Sequence, residues 1–349
     1  MRLQLLCGFL GFCFLSMMPL GLQAGAEDGR LDLYFIDVEG GAALLIVSPA
    51  GESMLIDSGY PDYMDRDRDR ILKVVRDVAG LKKIDHAVVS HWHLDHYGNH
   101  ASLAAAIPIG KFWDRGIPDS LSEDKKFDER IAQYRAASQN ASLALKVGDQ
   151  LSLKGKQVPV SIRVLTGSRK VVPNEGEPNP FAREHVPAKE DKSDNAASLS
   201  MRFDFGRFRF LCCGDLTWNV EAELVTPNNP VGKVDLFQVT HHGLGVSNNP
   251  VLVKAIDPVV AVMCNGPSKG GDPRVIETVT STASHKALFQ LHRNLKLDAA
   301  QQAPAERIAN TGDTDSCAGV WIKASVAPDG ESYQVQVGPD GQPETFKTR

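Results

Sequence analysis

Hydrophobic positions along the chain gather into short apolar runs, each closed by residues that favour turns. The first run covers residues 31–38, is interrupted by Glu39-Gly40-Gly41, and resumes over 42–47. Ser48-Pro49-Ala50-Gly51 reads as a turn into a third strand at 53–57, which Ser58-Gly59 ends. After the charged stretch 65–70, Ile71, Leu72, Val75 and Val78 recur at helical spacing and Gly80 supplies a stop, so this segment predicts a helix. Its alternating charges read as a solvated helix start with local ion pairs.

Residues 84–90 form a short apolar strand that runs directly into His91, and 101–107 reads as helix. A second helix is expected over 119–137 and further strands over 151–165. Between Thr166 and Asp194 the composition shifts to Pro, Glu, Asn and Lys without periodicity. Strand patterns resume at once after it, so this stretch reads as a surface insertion and not as a linker. Residues 198–205 and 207–213 predict a hairpin turning at Gly206. Strands follow at 234–240 and 259–264, and 320–326 with 332–337 predict a C-terminal hairpin around Pro328-Asp329-Gly330. Many strands with interspersed helices give an α/β layered fold, with one domain expected over 27–349.

Composition adds a compartment and excludes a partner class. Arg2, the apolar stretch 3–22 and the small residues Ala24-Gly25-Ala26 have the form of a secretory signal peptide cut after Ala26. Pro19 and the small-residue exit argue against a membrane anchor, and no second apolar stretch reaches membrane length. The expected product is secreted or periplasmic, with no membrane span after cleavage. The net charge is −5 and no basic run occurs, so no dedicated nucleic-acid surface is expected. Cys212, Cys213, Cys264 and Cys317 lack paired CxxC spacing. An oxidising compartment permits a Cys264–Cys317 bridge, and buried free thiols are an equal alternative.

The chemistry concentrates in His91-x-His93-x-Asp95-His96. Zinc binds imidazole and carboxylate. His91 and His93, two apart on an extended loop, can serve one metal, while Asp95 and His96 can serve a second. The motif follows a buried strand, where open α/β sheets place their sites. Asp215 after a strand and Gly214 suits a bridging carboxylate. Asp57, at another strand end, suits a partner for a ligand imidazole. His241-His242-Gly243 ends the strand 234–240. Successive strand residues point to opposite faces, so only one of the pair is expected to face the metals. His241 is taken as the ligand and His242 as a neighbouring acid.

These elements resemble the metallo-β-lactamase-fold hydrolases, specifically the soluble branch similar to the hydrolase domain of the ComEC/Rec2 competence proteins. The resemblance rests on residues 35–41, 54–59, 91–96, 211–215 and 239–243. It implies an αββα sandwich of two facing mixed β-sheets flanked by helices, with the metals at one edge. It also implies metal-activated hydrolysis, with His91, His93, Asp95, His96, Asp215 and His241 or His242 around one or two Zn²⁺ or other divalent ions. There are departures. Ser193-Asp194-Asn195 stands where many fold members carry another His, and His185 in the insertion is a candidate substitute. Gly271-Asp272-Pro273 replaces a Gly-His-Pro, and nothing corresponds to the membrane channel of the DNA-uptake proteins, so DNA uptake is not implied.

The expected function is an exported zinc-dependent hydrolase that uses a metal-bound hydroxide, with a phosphoester as first substrate class. Asp95 and His242 are expected to handle protons. Lys269 in the loop after Asn265 is either an anion contact or an ordinary exposed lysine. Lactone or β-lactam hydrolysis is the alternative, and a non-catalytic metal-binding protein a third reading.

Overall fold

The computed structural model describes residues 28–61, 64–313 and 317–349. The expected signal peptide, 1–26, lies outside the described residues. Two nine-stranded sheets dominate. The first runs, edge to edge, through Glu344–Lys347, Ser332–Val337, Ile322–Val326, Leu31–Phe35, Leu44–Val47, Ser53–Ile56, Ile84–Val88, Ile109–Asp114 and Leu143–Ala144. The second runs through Ile308–Asn310, Ala287–His292, Val260–Met263, Leu236–Gln238, Phe208–Cys212, Ser200–Phe205, Val160–Gly167 and Gln150–Leu153, with Lys170–Val171 paired beside Val160–Gly167.

Side-chain alternation makes four layers of these sheets. Leu31, Leu33 and Phe35 point into one core together with Phe210, Cys212, Leu236, Val260 and Val262, so the two sheets pack face to face. The intervening Tyr34 and Ile36 face outward, onto Ile71, Val74 and Val75 of the helical segment Arg66–Lys73 and Val74–Val78. On the other side Leu211, Phe237, Ala261 and Met263 face Leu224, Val253 and Val279, carried by the helices Trp218–Leu224, Pro250–Ile256 and Pro273–Thr280. Strands buried on both faces need apolar residues at nearly every position, which explains the continuous runs in the sequence. The chain has the αββα arrangement.

Boundaries differ from the periodic reading where loops carry apolar residues. The helix expected over 119–137 is confined to Phe127–Ala137, and the residues before it form a loop. The strand expected over 234–240 is only Leu236–Gln238. The C-terminal hairpin forms between Ile322–Val326 and Ser332–Val337 and gains a further strand, Glu344–Lys347. The insertion 166–194 is not wholly irregular. Lys170–Val171 and Glu177–Pro178 pair as short strands, and Trp218 Nε1 and Asn219 hold Val186 and Ala188 through backbone contacts. The four cysteines described are free thiols.

The parallel strands position the site. Ser53–Ile56 and Ile84–Val88 pair in parallel in one sheet, as do Phe208–Cys212, Leu236–Gln238 and Val260–Met263 in the other. The segments bearing Asp57, His91 to His96, Asp215, His241-His242 and Lys269 all follow the carboxyl ends of these strands.

Candidate metal centre

Four buried side chains, Asp95, His96, Asp215 and His242, bring ligand atoms within 4.8 Å of one another. Asp215 Oδ2 lies 3.1 Å from His96 Nε2 and 3.4 Å from His242 Nε2. Asp95 Oδ2 lies 3.6 and 3.5 Å from the same two nitrogens, which are 3.3 Å apart. Two ligands held at a tetrahedral angle by one zinc ion are separated by about 3.3 Å. Five of the six separations among these atoms are close to that size and the sixth lies within 4.8 Å, so the four form a roughly tetrahedral set suited to a divalent ion.

The other nitrogen of each imidazole is tethered. His96 Nδ1 donates to Asp57 Oδ2 at 2.8 Å, and Ser90 Oγ lies 3.0 Å from His91 Nδ1 while donating to Asp57 Oδ2 at 2.7 Å. His241 Nδ1 lies 3.0 Å from Ser247 Oγ, and His242 Nδ1 donates to the Cys264 carbonyl at 3.1 Å. Metal-ligating histidines show this pattern, with one nitrogen fixed by an oxygen and the other presented to the ion. His91 Nε2 is the sharpest case. It is buried, has no hydrogen-bond partner among the described residues, and lies 3.9 Å from Asp215 Oδ2.

His241 Nε2 is 3.3 Å from the same Asp215 oxygen and 3.4 Å from Asn195 Nδ2. Asn195 thus occupies the neighbourhood of the missing histidine, and its own Oδ1 is buried without a partner. His93 is partly exposed, with Nε2 3.5 Å from Glu123 Oε1, which leaves Nδ1 for an ion. Glu123 also accepts from the Asp194 amide at 2.7 Å, and Arg115 grips the Asp194 carboxylate.

Electrostatics follow from this crowding. Burial opposes charge on Asp95 and Asp215, but the surrounding imidazoles, with Lys269 at Asp95, outweigh it and hold both carboxyls well below the usual range. Burial also opposes charge on His96, yet Asp215, Asp57 and Asp95 together hold it well above an ordinary histidine. His91 and His241 go the other way because burial dominates, and His241 falls to about 4. Neutral imidazoles are the form that binds a metal.

The structure corrects one expectation about the histidine pair. Both His241 and His242 face Asp215, because the strand ends at Gln238 and both residues adopt left-handed backbone with φ of 52° and 56°. Strand alternation no longer applies there. His185 is not drawn into the centre; its Nδ1 pairs with Asn249 Nδ2 at 3.1 Å. Lys269, far from being an ordinary loop lysine, places its ammonium on Asp95 Oδ2. Glu123, Ser90, Ser247 and Tyr60 carry no motif signature and are named only by the fold.

Asp37, Glu39, His292 and Cys317 form a second cluster of ligand-type atoms. Its cations are already present as side chains. Arg70 pairs with Asp37 at 2.8 Å and Glu39 at 2.9 Å, and Arg66 with Glu39 at 2.9 Å. This network braces loop 39–41 against the first metal motif, where the Ala42 amide donates to the Asp95 carbonyl at 3.0 Å. At Gly41 a Cβ would come 2.6 Å from that carbonyl, so no larger residue fits.

The sequence profile of the metallo-beta-lactamase superfamily matches residues 36–266, about two thirds of the chain. No curated protein matches by sequence. Among solved structures, the CmlA β-hydroxylase E377D mutant is similar over 75% of this chain at 14% identity and a TM-score of 0.44, and this chain spans 52% of its length. CmlA from Streptomyces venezuelae, described as a diiron β-hydroxylase, aligns over 67% of this chain and 44% of its own, at 15% identity and a TM-score of 0.40. Igni18, a metallo hydrolase from the archaeon Ignicoccus hospitalis, aligns over 74% of this chain and 94% of its own, at 16% identity and a TM-score of 0.39.

Proposed function

The chain belongs to the metallo-beta-lactamase superfamily, and from that premise we propose that it is an exported, zinc-dependent hydrolase acting on a phosphoester, akin to the competence-type branch. The observation that carries the reading is the tetrahedron of Asp95, His96, Asp215 and His242, with its imidazoles tethered from behind. A second ion would be held by His91, His93 and His241, with Asp215 shared between the two. Divalent ions bound there supply Lewis acidity and a water that ionises near neutral pH.

The protein's own groups do the rest. Asp95 is the member of the tetrahedron open to substrate, its side chain 11% exposed against 3% for Asp215 and none for His96. It orients the attacking water through its carboxylate. Asp57 and Ser90 keep His96 and His91 in the tautomer that offers Nε2 inward. His242, read from the sequence as an acid, serves better as a ligand, because its Nε2 faces both carboxylates. Export rests on the signal-like first 26 residues.

The test pairs metal content, measured by mass spectrometry on purified protein, with a substrate panel. Turnover of bis(p-nitrophenyl) phosphate, lost on chelation and absent with nitrocefin or a lactone, is the expected result. Turnover of nitrocefin or a lactone alone would move the substrate to a carbonyl. Full metal with no turnover of any substrate would mark a binding protein.

A further inference from the structure

We propose that Lys269 is the substrate-contacting cation of this centre and binds an oxygen of the phosphoryl group; the proposal rests on the hydrolase reading and adds to it the residue that meets the substrate's charge. Three observations carry it. The first is rigidity. The loop 265–272 is tied down along its length: Gly266 N donates to Lys269 O at 2.9 Å, Gly271 N to His242 O at 3.0 Å and Leu295 N to Pro267 O at 2.8 Å. Asn294 Nδ2 donates to Gly270 O at 2.7 Å and Lys296 Nζ to Ser268 O at 3.0 Å. At Gly270 a Cβ would come 2.1 Å from the His242 carbonyl, so loop and histidine are fixed in register.

The second is aim. The Lys269 stem lies along Gly40, where a Cβ would meet it at 3.1 Å. Its ammonium reaches Asp95 Oδ2 and lies 3.4 Å from the Tyr60 hydroxyl, with the Tyr60 ring centroid 5.7 Å away. The side chain keeps 33% of its surface exposed, so the charge is pre-placed at the mouth and still reachable.

The third is charge. A divalent ion in the tetrahedron neutralises Asp95 and Asp215, the two carboxylates of that cluster. The ammonium is then the cation left at the opening, with Asp57 set back behind His96, and it complements an anionic substrate. A lysine whose only task was to neutralise Asp95 would be redundant beside that ion.

The experiment uses metal-loaded protein and the variants Lys269→Met, Lys269→Gln and Lys269→Arg. Calorimetry reads binding of inorganic phosphate and phenylphosphonate, and kinetics follow bis(p-nitrophenyl) phosphate. Lys269→Met should weaken both anions by about tenfold or more and lower kcat/KM for the diester alike. Metal content should hold, and Lys269→Arg should recover most of the anion affinity. Wild-type anion affinity in Lys269→Met overturns the proposal. Loss of metal in both Lys269→Met and Lys269→Gln, the second of which keeps hydrogen bonds to Asp95 and Tyr60, also overturns it by making the role structural. A wild-type protein that binds phosphate through Lys269 but hydrolyses no phosphoester rejects the hydrolase reading and leaves the anion site standing.

Discussion

His241 and His242 reach the same carboxylate because two consecutive residues adopt left-handed backbone, a conformation costly for side chains bearing a Cβ. The turn is held by Asn248, whose side chain accepts from the Thr240 amide at 3.1 Å and donates to the Thr240 carbonyl at 2.9 Å. Each histidine therefore contributes separately. His241→Ala and His242→Ala should each weaken metal binding by about tenfold to a hundredfold or more, read by metal competition with a chelating dye. Unchanged affinity in either variant would remove that residue from the centre. Asp95→Asn should keep metal on the remaining imidazoles yet lower turnover by about 10² to 10⁴. Of the seven residues proposed to hold metal, six were read as ligands from the sequence and His242 as a neighbouring acid, all as imidazoles and carboxylates placed after strands. Their tethers were not, since a serine hydroxyl or a backbone carbonyl acquires that role only from tertiary position.

The helix Trp218–Leu224 carries a buried acid, Glu221, directly behind this turn. Burial pushes its carboxyl from an ordinary 4.5 up to about 7, although the Asn249 amide, donating to Oε2 at 2.7 Å, works against the rise. The folded chain thus binds this proton more tightly than the unfolded one. The contribution to stability is present in full below pH 4.5 and is lost as pH rises through 7, a swing on the order of 3 kcal/mol. Glu221→Gln, which keeps an acceptor for Asn249, should raise Tm at pH 8, with the gain shrinking toward pH 5. A lower Tm at pH 8 would reverse the sign. This helix escaped the periodic reading because seven residues span under two turns. Pro250–Ile256 and Pro273–Thr280 are marked in the sequence by their starts instead. Asn249 and Asp272 cap them ahead of a first-turn proline, a start signal independent of periodicity. Strand ends were misjudged for the opposite reason: the buried Val239 keeps one bond to the next strand, its amide donating to Val262 O at 2.9 Å, yet lies beyond the strand Leu236–Gln238.

At the scale of the molecule, the centre draws on both sheets. His91 to His96 follow a strand of the first, and Asp215, His241 and His242 follow strands of the second. A bound ion is then a cross-link between the two halves of the sandwich. Metal removal should lower Tm, and titrating zinc back should raise it progressively, by about 2.7 kcal/mol of stability when free metal is a hundred times its dissociation constant. A Tm indifferent to metal in calorimetry would mean that no ion binds the folded chain in preference to the unfolded one. The layered architecture behind this prediction was readable from the strand runs; the pairing of sheet edges was not, because Leu31–Phe35 takes the distant Ile322–Val326 as its neighbour.

That pairing has a temporal consequence. The first sheet contains both early strands and the strands within 322–347, so during synthesis it stays incomplete until those emerge. The histidines around position 91 are made early, but the carboxylate and imidazoles that complete their shell arrive more than a hundred residues later. A newly made chain passes through a long interval in which a partial, low-affinity set of ligands exists without its enclosing walls. An ion bound at the proposed centre would therefore be acquired late in the life of the chain, with closure of the sandwich and not with the appearance of the motif.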